Sequence, residues 1–447
     1  MTMLDNPVVL LEEYLNQDLA FHLDLIRGGH PEYFTRKGII SVKDILQQML
    51  SRKNLTQDAE LKVYYSSMNY DNPPVTDKGF FTARKKFNPE AVHVMSNEYI
   101  ARIYDSYDDS IDKWKGYVVL GIDGSKFTVP NTEENRAFFG ANSGQTDNQP
   151  AMALVSTLHD SLNNLKLDVL IARIDGSEKE LAAKHIDHYC DSYHQPGLFV
   201  FDRGYVSIRL IDRIILRKQH FLIRATSAAY KKYFDQVSVG EDKELDVTFD
   251  TAGTNQFRDD IKFRTRLMNT VYKIRFAKVV IGTDDDGSDI VEYLMTNLPK
   301  EEVSAEELKE CYWLRWGTET SYNRLKNRMH TEEFSGYKPV LVRQDIYADA
   351  WIFNLVSLKI KEAEQKKPAE QKNGSYTVRR NFNKVLGTLK SSLLKALASQ
   401  DGQERARQMN LIDENIDSAL CWVKNGERSF ERKKAVNKSR ISYRRTY

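Results

Sequence analysis

"YVVLGIDGSKFTVP", residues 117–130, is the stretch of sequence that decides the fold. Its first half is an uninterrupted apolar and β-branched run, which is typical of a strand buried on both faces. The run ends in Asp123, and a second run of the same kind ends in Asp202 within "GLFVFDRGY". The sequence therefore predicts a buried sheet in which two strands each end at a carboxylate.

The segments around these two strands indicate an α/β fold. "AMALVSTLHDSLNNLKLDVLIARIDG" predicts two strands joined by an Asn-containing turn, and "SEKELAAKHIDHYC" predicts a helix with Ser177 and Glu180 in capping-box spacing. The helical "SIRLIDRIILRKQ" and the strand-like "HFLIRAT" follow Asp202. The order is strand, strand, strand, helix, strand, helix, strand. This order predicts a mixed sheet with helices on its faces, as in the ribonuclease H-like architecture.

Changes in composition divide the chain into four expected parts. "KELDVTFD", "DDIKFRTRLM", "TVYKIRFAKVVIG" and "DIVEYLMTNLP" alternate apolar and polar residues and predict antiparallel strands. "EAEQKKPAEQKNGS" predicts a linker, and the helix after it carries an apolar face expected to pack on the core or on a second subunit, formed by Phe382, Val385, Leu386, Leu389, Leu393 and Leu397. The parts are a helical domain over 1–110, a ribonuclease H-like core over 111–227 and 301–365, a β-strand insertion over 228–300, and a helical C-terminal region with a basic tail over 366–447.

Composition excludes several classes of protein. A chain of 447 residues with 41% apolar residues can bury more than one core, and its apolar runs are far shorter than the roughly 18 residues that cross a bilayer. Acids stand near the N-terminus where a signal peptide has a basic start, so a cytoplasmic protein without a membrane segment is predicted. Cys190, Cys311 and Cys421 form no CxxC pair and support neither a disulfide framework nor a zinc cluster. The last twenty residues, "RSFERKKAVNKSRISYRRTY", contain eight Lys or Arg and one acid, a pattern that can pair with phosphates.

A basic helix is predicted in the N-terminal part. In "VTDKGFFTARKKF", Thr76 is a candidate N-cap, and Phe80, Ala83 and Phe87 form an apolar face. The opposite side carries the basic residues Lys78, Arg84, Lys85 and Lys86. A helix-turn-helix recognition element needs this combination, because it packs on one side and meets phosphates and base edges on the other. An ordinary lysine-rich surface helix has the same pattern, and both interpretations stay open.

The segment "YWLRWGTETSYNRLKN", residues 312–327, places four functional side chains on one predicted helical face. Tyr312, Arg315, Glu319 and Lys326 follow at intervals of three, four and seven, which on a helix fall within a sector roughly 60° wide. Two close carboxylates such as Asp123 and Asp202 repel each other unless a cation lies between them. Hard oxygen ligands favour Mg²⁺ or Mn²⁺, and Glu319 would complete a two-metal site that attacks a phosphodiester.

The competing interpretation is that strand-end aspartates merely cap loops, as Asp175 in "RIDG" illustrates. The basic members of the stripe favour the functional one. Arg315 and Lys326 can neutralise phosphates beside the metal, and Tyr312 can hydrogen-bond to or stack on nucleic acid.

These four residues match, at every interval, the Tyr-Arg-Glu-Lys signature of a group of bacterial insertion-sequence transposases of the DDE class. "DGSKFTVP" and "FDRGY" resemble the segments that carry the group's first two catalytic aspartates, and "VTDKGFFTARKKF" resembles its helical DNA-binding region. The resemblance implies that Asp123, Asp202 and Glu319 bind two Mg²⁺, for which Mn²⁺ can substitute. It also implies that Tyr312, Arg315 and Lys326 hold the DNA end, while Lys78, Arg84 and Lys85 are expected DNA contacts.

The resemblance further implies a reaction and partners. Members of the group cut by hydrolysis, form and reopen a hairpin on the transposon end, and join the freed 3′-hydroxyl to target DNA. They do so as a homodimer that brings two terminal inverted repeats together. A stand-alone Mg²⁺-dependent nuclease on the same core, or an inactive DNA-binding relative, are the alternatives.

The sequence departs from the group in its tryptophans. The best-understood members grip a flipped base with a tryptophan in the β insertion, and the five tryptophans here, Trp114, Trp313, Trp316, Trp351 and Trp422, all lie outside residues 228–300. The stacking surfaces that could substitute are Tyr230, Tyr233, Phe249, Tyr272 and Tyr293. Trp313 and Trp316 are expected to pack in the core.

Overall fold

The structure, a computed structural model, describes residues 3–36, 38–141, 149–283, 286–368, 371–372, 376–399 and 401–424. The predicted basic tail, residues 428–447, lies outside the described residues.

Six helices form the N-terminal part, as predicted. They are α1 (Pro7–Gln17), α2 (Leu23–Arg27), α3 (Val42–Ser51), α4 (Gln57–Ser66), α5 (Asp77–Arg84) and α6 (Pro89–Ser106). Thr76 caps α5 through its side chain, which confirms its expected role. The basic helix ends at Arg84, because Asn88 and Pro89 cap and start a new helix.

The next segments form the core in the predicted order, with one additional short helix, α7. The elements are β1 (Val118–Thr128), α7 (Glu133–Phe139), β2 (Met152–Asp160), β3 (Leu165–Arg173), α8 (Glu178–Ser192), β4 (Gly197–Phe201), α9 (Ile208–Leu216) and β5 (His220–Ala225). β1, β2 and β3 pair antiparallel, while β4 runs parallel to both β1 and β5. Three meandering strands followed by two parallel strands with helical crossovers are the ribonuclease H-like arrangement.

The β insertion extends this sheet. Its elements are α10 (Lys231–Phe234), β6 (Asp242–Val247), α11 (Ile261–Asn269), β7 (Tyr272–Thr283) and β8 (Asp289–Thr296). β8 pairs antiparallel with β5, so one eight-stranded sheet has the order β3-β2-β1-β4-β5-β8-β7-β6. The predicted strand in "DDIKFRTRLM" is wrong. It is α11, because Asp260 caps a helix and Phe263 and Leu267, one turn apart, bury the same face.

Helices dominate the remainder of the chain. The elements are α12 (Ala305–Trp313), α13 (Trp316–Asn327), α14 (Pro339–Lys366), β9 (Gln371–Lys372), β10 (Tyr376–Arg380), α15 (Phe382–Ala398), α16 (Gly402–Asp417) and β11 (Leu420–Lys424). α14 packs against β3, α6 and α15 and is buried along most of its length. It runs to Lys366, so the first part of the predicted linker is helical instead.

The apolar face predicted for α15 is buried within its own chain. The helix packs against α3, α14 and α16, and its apolar residues from Phe382 to Leu397 lie in the core. This surface is therefore not free to form a dimer interface. Within the described ranges, no helix combines the length and apolarity needed to cross a membrane.

Candidate active site

The parallel pairing of β1 and β4 aligns the two predicted aspartates. Gly121 lies opposite Val200 in this register, and two residues further along each strand stand Asp123 and Asp202. Neighbouring strands lie about 4.8 Å apart, so the two residues lie close together on the same side of the sheet, where β4 ends. β4 ends at Phe201, and Asp202 caps a short 3₁₀ turn over Arg203–Tyr205. β1 continues to Thr128 as the partner of β2, so the expectation that this strand ends at Asp123 is wrong.

The surroundings of Asp123 leave its negative charge largely uncompensated. Burial and the nearby charge of Asp202 raise the pKa of Asp123 to about 6, although Arg315 opposes the shift. Oδ1 of Asp123 accepts one hydrogen bond, from the N–H of Gly124 at 2.9 Å. Oδ1 of Asp202 accepts one from the N–H of Gly204 at 2.8 Å. An acidic pair held in this way favours a cation between its members.

The segment that carries the Tyr-Arg-Glu-Lys residues is two helices and not one. Four i to i+3 hydrogen bonds tighten the chain between α12 and α13, donated by the N–H groups of Leu314, Arg315, Gly317 and Thr318. Arg315 therefore becomes the N-cap residue of α13, and Glu319 lies in the first turn. The prediction of a single helical face is wrong, because the 3₁₀ turn changes the angle between Tyr312 and the later residues.

A glycine lets α13 approach the sheet next to the acids. A Cβ added to Gly121 on β1 would lie 2.1 Å from Oγ1 of Thr318 on α13. The contact brings the first turn of α13 against the strand that carries Asp123. The phenol of Tyr322, one turn further along, donates to the carbonyl oxygen of Asp123 at 2.7 Å. These two contacts fix the helix relative to Asp123 and the strand that carries it.

Arg315 connects the third acid with the first. Its Nη2 donates to Oε1 of Glu319 at 2.9 Å, and its charge partly offsets the rise in the pKa of Asp123. In this conformation no three His, Cys, Asp or Glu side chains of the described residues stand together as a metal site. The chemistry of the donors nevertheless fits a divalent cation, because Asp123, Asp202 and Glu319 offer hard oxygen ligands and the first two repel each other. Glu319 would have to exchange Arg315 for the ion.

The family described as "Transposase DDE domain" matches residues 114–355, more than half of the chain, and the match spans all three acids. The chain belongs to this transposase family. It is 22% identical to the transposase InsG for insertion sequence element IS4 of Escherichia coli (strain K12) over 339 residues, or 74% of this chain and 71% of InsG.

Two further similarities are shorter or more distant. Over 60 residues the chain is 42% identical to the transposase for insertion sequence element IS421 of Escherichia coli, and this covers 13% of the chain and only 15% of that relative. A chain of the cryo-EM structure of a piggyBac transposase synaptic complex with hairpin DNA is 11% identical to this chain and superposes with a TM-score of 0.43. The superposition covers 92% of this chain and 86% of the piggyBac chain.

In this DDE-domain protein the other signature residues have different surroundings. Nζ of Lys326 donates to the carbonyl oxygen of Lys126 at 2.5 Å and lies 4.6 Å from the centre of the Phe127 ring. Tyr312 is only 3% exposed and packs with Val119 beneath the sheet, so its predicted role as a stacking surface is wrong in this conformation. Burial raises the pKa of Tyr312, and the neighbouring Arg315, whose guanidinium carbon lies 5.7 Å from the Tyr312 ring centre, opposes that shift.

Two residues of the DDE-domain protein that sequence reasoning missed also face this region. Arg224 follows Ile223, the partner of Phe201 in the parallel register, so it stands beside Asp202. It pairs with Glu292 of β8 at 3.2 Å. Burial raises the pKa of Glu292, while Arg224 and Arg315 act against that shift. The one available signal was the arginine that interrupts the apolar "HFLIRAT".

The aromatic residues are placed differently from the prediction. Trp313 and Trp316 are 47% and 40% exposed, so the expectation that they pack in the core is wrong. The guanidinium carbon of Arg315 lies 5.6 Å from the Trp316 ring centre. In the β insertion, the five substitute aromatics are buried or half-buried and none is exposed, namely Tyr230, Tyr233, Phe249, Tyr272 and Tyr293.

One predicted DNA contact of the N-terminal domain is also wrong. Arg84 is fully buried, and its guanidinium pairs with Asp345 of α14 at 2.5 Å. It faces the interior because α14 covers that side of α5. Lys78 and Lys85 are exposed, and their role stays a prediction.

Proposed function

We propose that this protein is a DNA transposase that cuts and joins the ends of an insertion sequence. The observation that carries the proposal is the alignment of Asp123 with Asp202 on neighbouring parallel strands, with the Arg315–Glu319 pair beside them. Membership of the DDE transposase family and the names of the relatives support the same activity.

Asp123, Asp202 and Glu319 would hold the divalent cations, Mg²⁺ or alternatively Mn²⁺. When bound, such ions activate a water or a 3′-hydroxyl and stabilise the leaving oxygen at phosphorus. The chain's own contribution is to position the three acids and to supply positive charge for the phosphate. When Glu319 turns to the ion, the guanidinium of Arg315 would be released from that acid. It could then donate two hydrogen bonds to a phosphate, whose geometry matches the guanidinium.

The remaining DNA contacts follow from position and charge. Lys326 and Arg224 lie near the acidic residues and would hold the transposon end. Tyr312 is buried and would support the same site by packing beside Arg315. Lys78 of α5 and Lys85, the C-cap residue of that helix, would contact the terminal inverted repeat. The exposed indoles of Trp313 and Trp316 would provide the stacking surface that a hairpin intermediate needs. The candidate aromatic residues of the β insertion are not exposed. Homodimerisation on two DNA ends, capture of target DNA and a cytoplasmic location belong to the same proposal.

The proposal is tested with a short duplex that carries the flanking inverted repeat, a supercoiled plasmid and Mg²⁺. The wild type is compared with Asp202→Ala and with Asp175→Ala, a matched control at the end of another core strand. Nicking at the repeat boundary and joining to the plasmid, lost only in Asp202→Ala, are the expected results. Cutting without joining would indicate the nuclease instead. Repeat binding without cleavage in Mg²⁺ or Mn²⁺ would indicate an inactive DNA-binding relative.

A further inference from the structure

Glu178, at the start of α8, reaches over the strand that carries Asp123. Ser177 caps this helix by accepting the N–H of Glu180, so Glu178 occupies its first position. Oε1 of Glu178 lies 2.8 Å from the point where a Cβ on Gly124 would stand. Gly124 directly follows Asp123, and its missing side chain is the space that the carboxylate fills. A fourth acid therefore lies against the backbone beside Asp123.

A buried hydroxyl without a partner faces the same place. Tyr205 is 2% exposed, and its phenol oxygen makes no hydrogen bond within the described residues. It belongs to the turn that Asp202 caps. Burial and then the charges of Asp123 and Glu178, together with that of Asp202, raise the pKa of Tyr205. A buried donor left unsatisfied is unfavourable, so the hydroxyl has a use once a ligand or its water occupies the centre.

The ordinary role of an acid at this position is to stabilise the N-terminus of a helix. Glu180 in the same turn can fulfil that role, and it lines the separate groove between α8 and α9. Glu178 instead points to Gly124, where burial and the charge of Asp202 raise its pKa, while Lys126 opposes that shift. An acid that faces the negative charge of Asp202 favours a cation that offsets the repulsion.

We propose that Glu178 is a fourth carboxylate of the metal centre and holds, with Asp123 and Asp202, the water shell of a divalent cation. The hydroxyl of Tyr205 hydrogen-bonds to that shell. Mg²⁺ keeps several of its waters in proteins, so a carboxylate that accepts from those waters adds affinity without a direct bond to the metal. The inference rests on the metal site of the proposed function and extends it by one residue.

The test is a titration of the full chain with Mn²⁺ at pH 7 in the absence of DNA. Binding is measured as the loss of the free-Mn²⁺ signal in electron paramagnetic resonance. The variants are Glu178→Gln, Glu180→Gln as the matched control and Asp202→Asn as the reference for the site itself. Removal of an outer-shell partner typically lowers metal affinity about 10- to 100-fold, and this is the loss expected for Glu178→Gln. Glu180→Gln should bind Mn²⁺ like the wild type.

Gly124→Ala provides a second route to the same residue, because its methyl group occupies the place of the Glu178 carboxylate. We expect a similar loss of Mn²⁺ affinity, and no additional loss when Gly124→Ala is combined with Glu178→Gln. Unchanged affinity in Glu178→Gln, with a loss in Asp202→Asn, would overturn the role of Glu178 alone. Unchanged affinity in both would overturn the metal site of the proposed function as well.

Discussion

Asp123 on β1 and Asp202, the residue directly after β4, each stand two residues beyond the Gly121–Val200 pair of these parallel strands. The paired strands fix the backbone on the N-terminal side of both residues, which limits how far the two carboxylates can separate when both are ionised. Burial, and with it the charge of Asp202, raises the pKa of Asp123. The metal-free protein therefore carries an unfavourable interaction at the place where the proposed cation would relieve it.

Asp123→Asn should stabilise the metal-free protein at pH 7. Burial and Asp202 raise the pKa of Asp123 from 3.8 to about 6, so the folded state binds this proton more tightly than the unfolded state. Stability is thus lost as the pH rises from about 4 to about 6, by up to about 3 kcal/mol for a shift of about two units. The asparagine removes this loss. Denaturant melts at pH 4 and pH 7 measure it, and a less stable variant at pH 7 without metal would contradict the prediction.

Metal should reverse the order of the two proteins. Mn²⁺ bound at the proposed site would raise the stability of the folded wild type in proportion to the logarithm of metal concentration. Asp123→Asn lacks a ligand, so its melting curve should change little when Mn²⁺ is added. Equal metal-dependent stabilisation in both proteins would argue against Asp123 as a ligand.

Glu319→Gln should strongly slow cleavage and retain DNA binding. The amide keeps the shape of the side chain and loses the charge that the proposed cation needs, so cleavage should fall by roughly 10²–10³-fold. Arg315 also loses its ion-pair partner and becomes free for phosphate, so affinity for the repeat should not decrease. Gel-shift and cleavage assays on the same duplex measure both quantities. Glu310→Gln on the exposed side of α12 is the control.

Arg84→Ala and Lys85→Ala, at neighbouring positions, should affect different properties: the first should lower stability and the second should weaken DNA binding. Arg84→Ala removes one partner of a buried ion pair with Asp345, which typically costs about 3–5 kcal/mol of stability. Lys85 is exposed, so its replacement should leave stability unchanged and weaken repeat binding with a salt slope reduced by about one. Chemical denaturation and binding at several salt concentrations distinguish the two residues. A stable Arg84→Ala variant with weakened DNA binding would restore Arg84 as a DNA contact.

Gly121→Ala should move α13 away from the sheet, because the new methyl group would overlap Oγ1 of Thr318. Overpacking of this kind typically costs about 1–3 kcal/mol. Thr318→Ala removes a buried oxygen that has no hydrogen-bond partner among the described residues, so by itself it should cost little. The double variant should regain much of the lost stability, and denaturant melts of all four proteins measure the coupling. Additive effects would show that the two residues do not touch.

The sequence by itself determined the parts of the protein that depend on local pattern. Long apolar runs specify buried strands wherever they fall, so β1 and β4, their acids and the alternation with α8 and α9 follow from the order of residues. The caps Thr76 and Ser177 act within one helical turn, and they occur where they were predicted. The Tyr-Arg-Glu-Lys spacing and the two aspartate segments together indicated the transposase family that the DDE-domain match shows.

Only the tertiary structure decided which side chains reach the surface. Arg84 is buried because α14, some 260 residues later in sequence, supplies Asp345. Tyr312 is buried in the same cluster as Val119, while Trp313 at the end of α12 and Trp316 at the start of α13 are exposed. The sequence pattern predicts only that Glu178 lies in a helix, whereas the fold places its carboxylate over Gly124. A periodic pattern fixes the faces of one element, but burial and charge pairing depend on what distant segments pack against each face.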